Sequence, residues 1–150
     1  MSFSIASINR VVADVVPSRE ALVWGDRRFT YRELAGRADR LANVFLDHDV
    51  RLYTERVALE NFECGQDRIA LYMFNCNEYL EAMLGAFKAR AVPFNVNYRY
   101  VAEEVRYVLA DANTSAVVYH RRFGPVLLDA LDGMEPMKLL LEVDDGSEVD

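Results

Sequence analysis

The second half of the chain alternates short apolar runs with stretches of helical periodicity. Residues 69–74 form an apolar run that is long enough for a buried strand. Further strands are predicted at residues 91–96, 115–119 and 138–143, and helices at 78–89, 101–111 and 125–131. Strands and helices that alternate at this spacing predict an α/β fold, a parallel sheet with right-handed helical crossovers. The strands at 69–74, 91–96 and 115–119 are expected to be parallel neighbours.

The helix predicted at 78–89 has one apolar face and a polar start. Four apolar residues share one of its faces: Leu80, Met83, Leu84 and Phe87. We expect Asn75 or Asn77 to cap its first turn, because short polar side chains satisfy the free backbone N–H groups there. Pro93 cannot donate a hydrogen bond within a sheet, so the strand at 91–96 is expected to lie at an edge or to carry a bulge.

The first half of the chain is predicted to form two helices separated by a hairpin. A short helix is predicted at residues 8–16, ended by Pro17, and strands at 21–24 and 28–30 flank a turn at Gly25-Asp26. Thr30 and Glu33 have the spacing of a capping box, so a long helix is expected to begin there and to end near His48. Residues 49–67 show no clear period and are interpreted as a connecting insertion.

Composition excludes some classes of function. The net charge is −7, which disfavours nucleic acid as a partner because such binding depends on cationic side chains. No apolar run approaches the roughly 20 residues of a membrane-spanning helix, and no secretory leader is recognisable. The only two cysteines, Cys64 and Cys76, match no metal or redox spacing. We therefore expect a cytoplasmic protein with two reduced thiols.

The candidate chemistry is sparse. No two of the seven glycines lie closer than nine residues, so the chain contains no glycine-rich phosphate loop. His120 ends a predicted strand, where α/β sheets often place ligands, yet nothing near it in the sequence completes a catalytic set, so we expect a surface residue. The run from Tyr98 to Tyr100 is interpreted as a stacked surface cluster around Arg99. The sequence thus assigns no catalytic, no cofactor-binding and no metal-binding residue.

Two motifs resemble the adenylate-forming enzyme superfamily. Residues 29–34, Phe-Thr-Tyr-Arg-Glu-Leu, resemble its first core motif, a Thr-Tyr-x-Glu-Leu segment that opens a long helix. Residues 87–95 resemble its second core motif, Leu-Lys-Ala-Gly-Ala followed by Pro and Asn or Asp. The two lie in the expected order and separation, and the resemblance covers roughly residues 8–145. The sequence of residues 95–100 is most similar to that of actinobacterial fatty-acid and steroid side-chain CoA ligases.

The chain departs from this family in two places. Arg90 stands where the second motif has glycine, which predicts an ordinary negative φ at that turn. Residues 49–64 are longer than the short loop usual in the family.

The resemblance also implies what the chain lacks. Residues 1–150 would be a partial N-terminal, AMP-binding domain that ends before the phosphate-binding loop, with an acidic linker or tail possible at 137–150. ATP, Mg²⁺ and CoA, and a fatty or steroid-type carboxylic acid as substrate, are implied for the full-length family, and no cofactor is expected for this chain alone.

Three functions remain open at this point. The chain is a truncated acyl-CoA synthetase without activity of its own, a non-enzymatic α/β module that binds another protein, or a small-molecule-binding domain. In the first case, we expect self-association through apolar surface left exposed.

Overall fold

A computed structural model describes residues 4–149, which form a four-stranded sheet, a hairpin and five helices. In chain order the helices are α1 Ile5–Val15, α2 Tyr31–Asp47, α3 Asn77–Lys88, α4 Ala102–Asp111 and α5 Gly124–Leu131. The strands are β1 Glu20–Trp24, β2 Arg27–Thr30, β3 Arg68–Tyr72, β4 Val92–Asn95, β5 Ala116–His120 and β6 Leu139–Val143. No helix in this part of the chain is long and apolar enough to cross a bilayer.

The predicted α/β architecture is confirmed. The main sheet has the order β4-β3-β5-β6, and all of its neighbouring strands are parallel. The three strands predicted to be neighbours therefore are, and β4 lies at an edge, as Pro93 indicated. Strands β1 and β2 pair antiparallel in the predicted hairpin, with a register shift between Glu20 and Leu22.

Helices cover both faces of the sheet. On one face α2 and α3 pack against alternate strand residues, with Phe45, Leu71 and Val118 fully or almost fully buried. On the other face α4 and α5 enclose a second core around Tyr72 and Leu109. Because the strands of this parallel sheet contribute side chains to both cores, the sequences of β3 and β5 are predominantly apolar rather than alternating.

Helix α3 begins differently from the prediction. Cys76 occupies the N-cap position and makes no side-chain cap, so neither Asn75 nor Asn77 caps this helix. Asn77 is instead fully buried: its amide donates to Glu81 Oε1 (2.8 Å) and accepts from Arg27 (3.2 Å). A buried amide that is hydrogen-bonded to Arg27 and Glu81 is no longer available to the backbone of its own turn.

The prediction of a negative φ at Arg90 is wrong. Arg90 has φ 60°, in the left-handed region that glycine adopts at no steric cost, so the backbone turn of the second motif is retained without its glycine. The Arg90 guanidinium makes two hydrogen bonds to Glu55, at 2.7 and 2.9 Å, and the Arg90 carbonyl accepts from Gln66. The inserted segment therefore packs against this turn.

The insertion itself is ordered by hydrogen bonds rather than by regular structure. Only a 3-10 turn at Arg56–Ala58 and a bridge between Leu52 and Gln66 are regular. The Arg56 guanidinium donates to three carbonyls of the loop, those of residues 60, 61 and 63. Gly65 is tightly enclosed, because a Cβ there would lie 2.1 Å from the Thr54 carbonyl oxygen.

Candidate functional site

The carboxyl ends of the parallel strands bring together the side chains that could meet a ligand. In parallel sheets ligands bind at this edge, because the loops that follow neighbouring strands converge there. Here the edge is formed by residues 73–76 after β3, 97–100 after β4, 121–123 after β5 and 144–147 after β6.

His120 is the centre of this edge, and its predicted position on the surface is wrong. Its residue exposure is only 5%. The Phe74 backbone N–H donates to His120 Nδ1 (3.1 Å), so in the neutral ring the proton resides on Nε2. Nε2 lies 3.6 Å from Cys76 Sγ and donates to it. The imidazole thereby links the end of β5 to the loop after β3.

The charges around the ring oppose one another. Burial is the main cause that lowers the pKa of His120, and the Arg122 guanidinium lowers it further. The carboxylates of Asp145 and Glu78 act in the opposite direction without reversing the shift. The neutral imidazole is therefore the stable form at pH 7.

Cys76, Met73 and His120 place three soft donor atoms close together, yet they form neither a metal set nor a nucleophile. Cys76 Sγ lies 4.0 Å from Met73 Sδ. The Nε2 lone pair is occupied by the proton, and burial raises the pKa of the Cys76 thiol to about 11, so the sulfur stays protonated. Within residues 4–149 no group of three or more His, Cys, Asp or Glu side chains could hold a metal.

Aromatic rings fill the space beside His120. The Phe74 ring lies 4.7 Å from that of Tyr98 and 5.0 Å from that of Phe123. Arg99 stacks over Tyr98 and Arg122 over Phe74, with 5.5 and 5.4 Å from guanidinium carbon to ring centroid. Of the predicted stacked cluster around Arg99, the contact with Tyr98 is present, whereas Tyr100 packs against the second core. The extension of the cluster to Phe74 and Phe123 was missed, because these rings come from loops that are distant in sequence.

Acidic residues in and directly after β6 pair with the arginines of this edge. Arg121 pairs with Glu142 (2.8 Å) and Asp144 (2.9 Å), and Arg122 lies 3.6 Å from Asp145. The sequence indicates an acidic linker or tail at residues 137–150, but it does not show that Asp144 and Asp145 pair with Arg121 and Arg122. With these pairs made, the edge presents aromatic surface and hydrogen-bonded charges but no general base and no activated nucleophile.

A second polar cluster lies at the opposite, amino-terminal edge of the sheet. Asp67 is 5% exposed and accepts hydrogen bonds from Ser115 Oγ (2.6 Å), Lys138 Nζ (2.9 Å) and the Arg51 backbone N–H (2.9 Å). Ser115 and Lys138 immediately precede β5 and β6, so one carboxylate ties three strand starts together. All of its bonds are made within the chain, which identifies a structural cluster rather than a ligand site.

The residues of both core motifs have structural roles. Glu33 Oε2 accepts from the Thr30 backbone N–H (2.8 Å), and Thr30 Oγ1 accepts from the Glu33 N–H (3.3 Å), which is the predicted capping box. Lys88 Nζ donates to the Ala35 carbonyl (3.2 Å) and pairs with Asp39 (2.5 Å), so it joins α3 to α2. These motifs build the fold and do not form a site by themselves.

Comparisons with known proteins agree with this architecture. The sequence profile of a family described as AMP-binding enzyme matches residues 10–149. The chain is 42% identical over 146 residues to the medium-chain acyl-CoA ligase Mig of Mycobacterium avium, covering 97% of this chain and 26% of that protein. It is 34% identical over 150 residues to the 3-oxocholest-4-en-26-oate–CoA ligase of Rhodococcus rhodochrous, covering 100% of this chain and 25% of that protein.

Solved structures give the same result. The N-terminal domain of FACL13 from Mycobacterium tuberculosis superposes with a TM-score of 0.78 at 28% identity, covering 95% of this chain and 34% of that one. A fatty acyl CoA synthetase from the same organism superposes with a TM-score of 0.76 at 27% identity, covering 93% of this chain and 26% of that one. The chain thus spans about a quarter of the length of the curated relatives it matches.

Proposed function

This chain belongs to the AMP-binding enzyme family, and on that premise we propose that it is the N-terminal structural segment of an AMP-forming acyl-CoA ligase. In the complete enzyme a carboxylic acid attacks the α-phosphate of ATP and releases pyrophosphate. The thiol of CoA then attacks the acyl carbon of the acyl-adenylate and releases AMP. The observation that carries the proposal is the 42% identity to an acyl-CoA ligase along 97% of this chain.

The substrate we propose is a medium-chain fatty acid. The relative named for medium-chain acids alone is 42% identical. The relative named for the steroid acid alone is 34% identical, and one named for both medium- or long-chain fatty acids and the steroid acid is 33% identical. The family's ATP, Mg²⁺ and CoA would act in the longer protein. The residues present do not fit a triphosphate, because no two glycines are close enough for backbone N–H groups to wrap phosphates. No step of the reaction is therefore assigned to a residue of this chain.

What this chain contributes is a rigid support. Its aromatic and ion-paired carboxyl edge fixes the loops after four parallel strands, and preorganised loops are what a site built partly from later residues requires. We place the protein in the cytoplasm, where thiols such as Cys64 and Cys76, both free in this structure, remain reduced.

The proposal is tested by assaying the 150-residue chain alone. We expect no carboxylate-dependent exchange of pyrophosphate into ATP above a blank without protein, and no saturable binding of ATP by calorimetry. Exchange that depends on a medium-chain acid would contradict the proposal, and saturable ATP binding would favour the small-molecule-binding alternative.

A further inference from the structure

We propose that His120 is a pH-sensitive latch, which holds the loop after β3 to the end of β5 while the ring is neutral and releases that loop when the ring is protonated. The loop comprises residues 73–76. The latch is independent of any substrate, since every group in it belongs to the described chain.

The geometry admits only one protonation state. The Phe74 N–H points at Nδ1 (3.1 Å), which must keep its lone pair to accept that bond. In the imidazolium form both ring nitrogens carry protons, so Nδ1–H would face another donor. The ring is buried, so it cannot turn to solvent without moving its neighbours. Protonation must therefore break the bond between β5 and the loop.

The charged groups that face the ring come from three segments. Glu78 in the first turn of α3 and Asp145 after β6 attract a proton to the imidazole, whereas Arg122 after β5 repels it. The neighbouring Cys76 thiol is neutral. Burial and Arg122 prevail, so the pKa of His120 lies below its ordinary value of 6.5. The latch is closed at neutral pH and opens only when the pH falls through this lowered pKa.

Opening reaches further than one hydrogen bond. The Phe74 ring packs between Tyr98 and Phe123, and Arg122 stacks on its face. When the Phe74 backbone is released, the rings that hold the loops after β4 and β5 lose their common neighbour. The carboxyl edge therefore loosens at acidic pH while the opposite edge, held by Asp67, stays closed.

Amide exchange measured by NMR on the ¹⁵N-labelled chain tests the latch. Side-chain shifts follow the charge of His120 as the pH is lowered from about 8 until the titration of the imidazole is complete. Expressing the exchange of the Phe74 amide as a protection factor corrects for the intrinsic pH dependence of amide exchange. We expect this factor to fall about tenfold, the equivalent of one net hydrogen bond, with the same midpoint as the His120 titration.

Two variants separate the latch from general acid sensitivity. In H120N, the Asn Oδ1 replaces Nδ1 as acceptor but cannot titrate, so Phe74 should stay protected throughout the pH range. In H48Q the only other histidine, which is exposed, is removed, and the Phe74 profile should remain that of the unaltered chain.

Two results would overturn the proposal. The first is a Phe74 protection factor that does not change while His120 charges. The second is an H120N variant that retains the wild-type pH profile. If H120N does not fold, the coincidence of the two midpoints in the unaltered chain decides alone.

Discussion

At the scale of single residues, Arg90 shows how a side chain replaces glycine in a left-handed turn. The residue has φ 60° and is paired with Glu55 on the surface. We expect glycine to fit this turn in the R90G variant. The R90V variant should have a clearly lower urea midpoint of unfolding, because a β-branched residue is strained at positive φ. Both variants lose the ion pair, so their difference isolates the backbone. Equal midpoints would show that the turn is not strained.

Asp67 is the residue whose charge contributes most clearly to stability. Burial would raise its pKa, but hydrogen bonds from Ser115, Lys138 and Arg51 together lower it below the ordinary 3.8. A lowered folded-state pKa gives stability that is complete above the unfolded pKa and is lost as the pH falls through the folded one. We expect D67N to reduce the free energy of unfolding by about 2–3 kcal/mol at pH 7, and by less near pH 3.

Urea unfolding at the two pH values checks this prediction. D49N is the matched control: Asp49 also approaches Lys138, at 3.8 Å, but its side chain is 64% exposed, so its loss should change stability by less than about 1 kcal/mol. A D67N effect that is small, or equal at both pH values, would contradict the structural role of the cluster.

At the scale of elements, features that depend on residues close in sequence could be predicted, whereas features that depend on tertiary contacts could not. The hairpin and the Thr30–Glu33 box depend on residues a few positions apart, and both were predicted from the sequence. The cap of α3 was mistaken because Asn77 has its partners in Arg27, 50 residues earlier, and in Glu81. Likewise, the burial of His120 depends on the backbone of Phe74, 46 residues away, which no local pattern reveals.

The packing of α2 on α3 depends on a polar group in an apolar interface. Glu81 is 6% exposed and accepts from Arg37 Nε (2.6 Å) and from the buried Asn77 amide (2.8 Å). We expect E81A to destabilise the chain by about 2–4 kcal/mol, because it leaves Asn77 without its acceptor. A double-mutant cycle of R37A with E81A should give a coupling energy above about 0.5 kcal/mol.

The exposed pair of Arg28 and Glu20 on the hairpin is the control for that cycle. It has a similar distance of 2.7 Å, but both side chains are largely in solvent, so its coupling should be at most a few tenths of a kcal/mol. Strictly additive effects of R37A and E81A would show that burial does not strengthen the interhelical pair.

At the scale of the whole molecule, the described surface retains apolar residues at an outer strand. β6 is the last strand of the sheet within residues 4–149, and Leu140 on it is 40% exposed. Leu141 and Val143 line an open cavity of about 320 Å³ beside α2 and β5. We expect the chain to self-associate and L140K to reduce that association, because an edge lysine opposes strand pairing.

Light scattering after size exclusion measures this association. A sharp monomer peak of the unaltered chain that binds no hydrophobic dye would contradict the prediction. D111N is a suitable control, because it changes the charge by one at an exposed helix end and leaves β6 intact.

The sequence alone was sufficient for the fold and the family but not for the carboxyl edge. Period and spacing placed the strands of the sheet, and two motifs indicated the superfamily. The cluster of Phe74, Tyr98, His120 and Phe123 is assembled from the end of β5 and the loops after β3, β4 and β5. Such a cluster becomes visible only when the register of the sheet is known.

A chimera with the M. avium ligase is the sharpest test of the role proposed for this chain. The 146-residue segment of the M. avium ligase that matches this chain is replaced by the corresponding residues of this chain, and acyl-CoA formation from a medium-chain acid is measured. We expect the chimera to be active, whereas this chain alone and the M. avium ligase lacking the segment should be inactive. A folded chimera that binds ATP but forms no acyl-CoA would contradict the claim that this chain is the N-terminal structural segment of such a ligase.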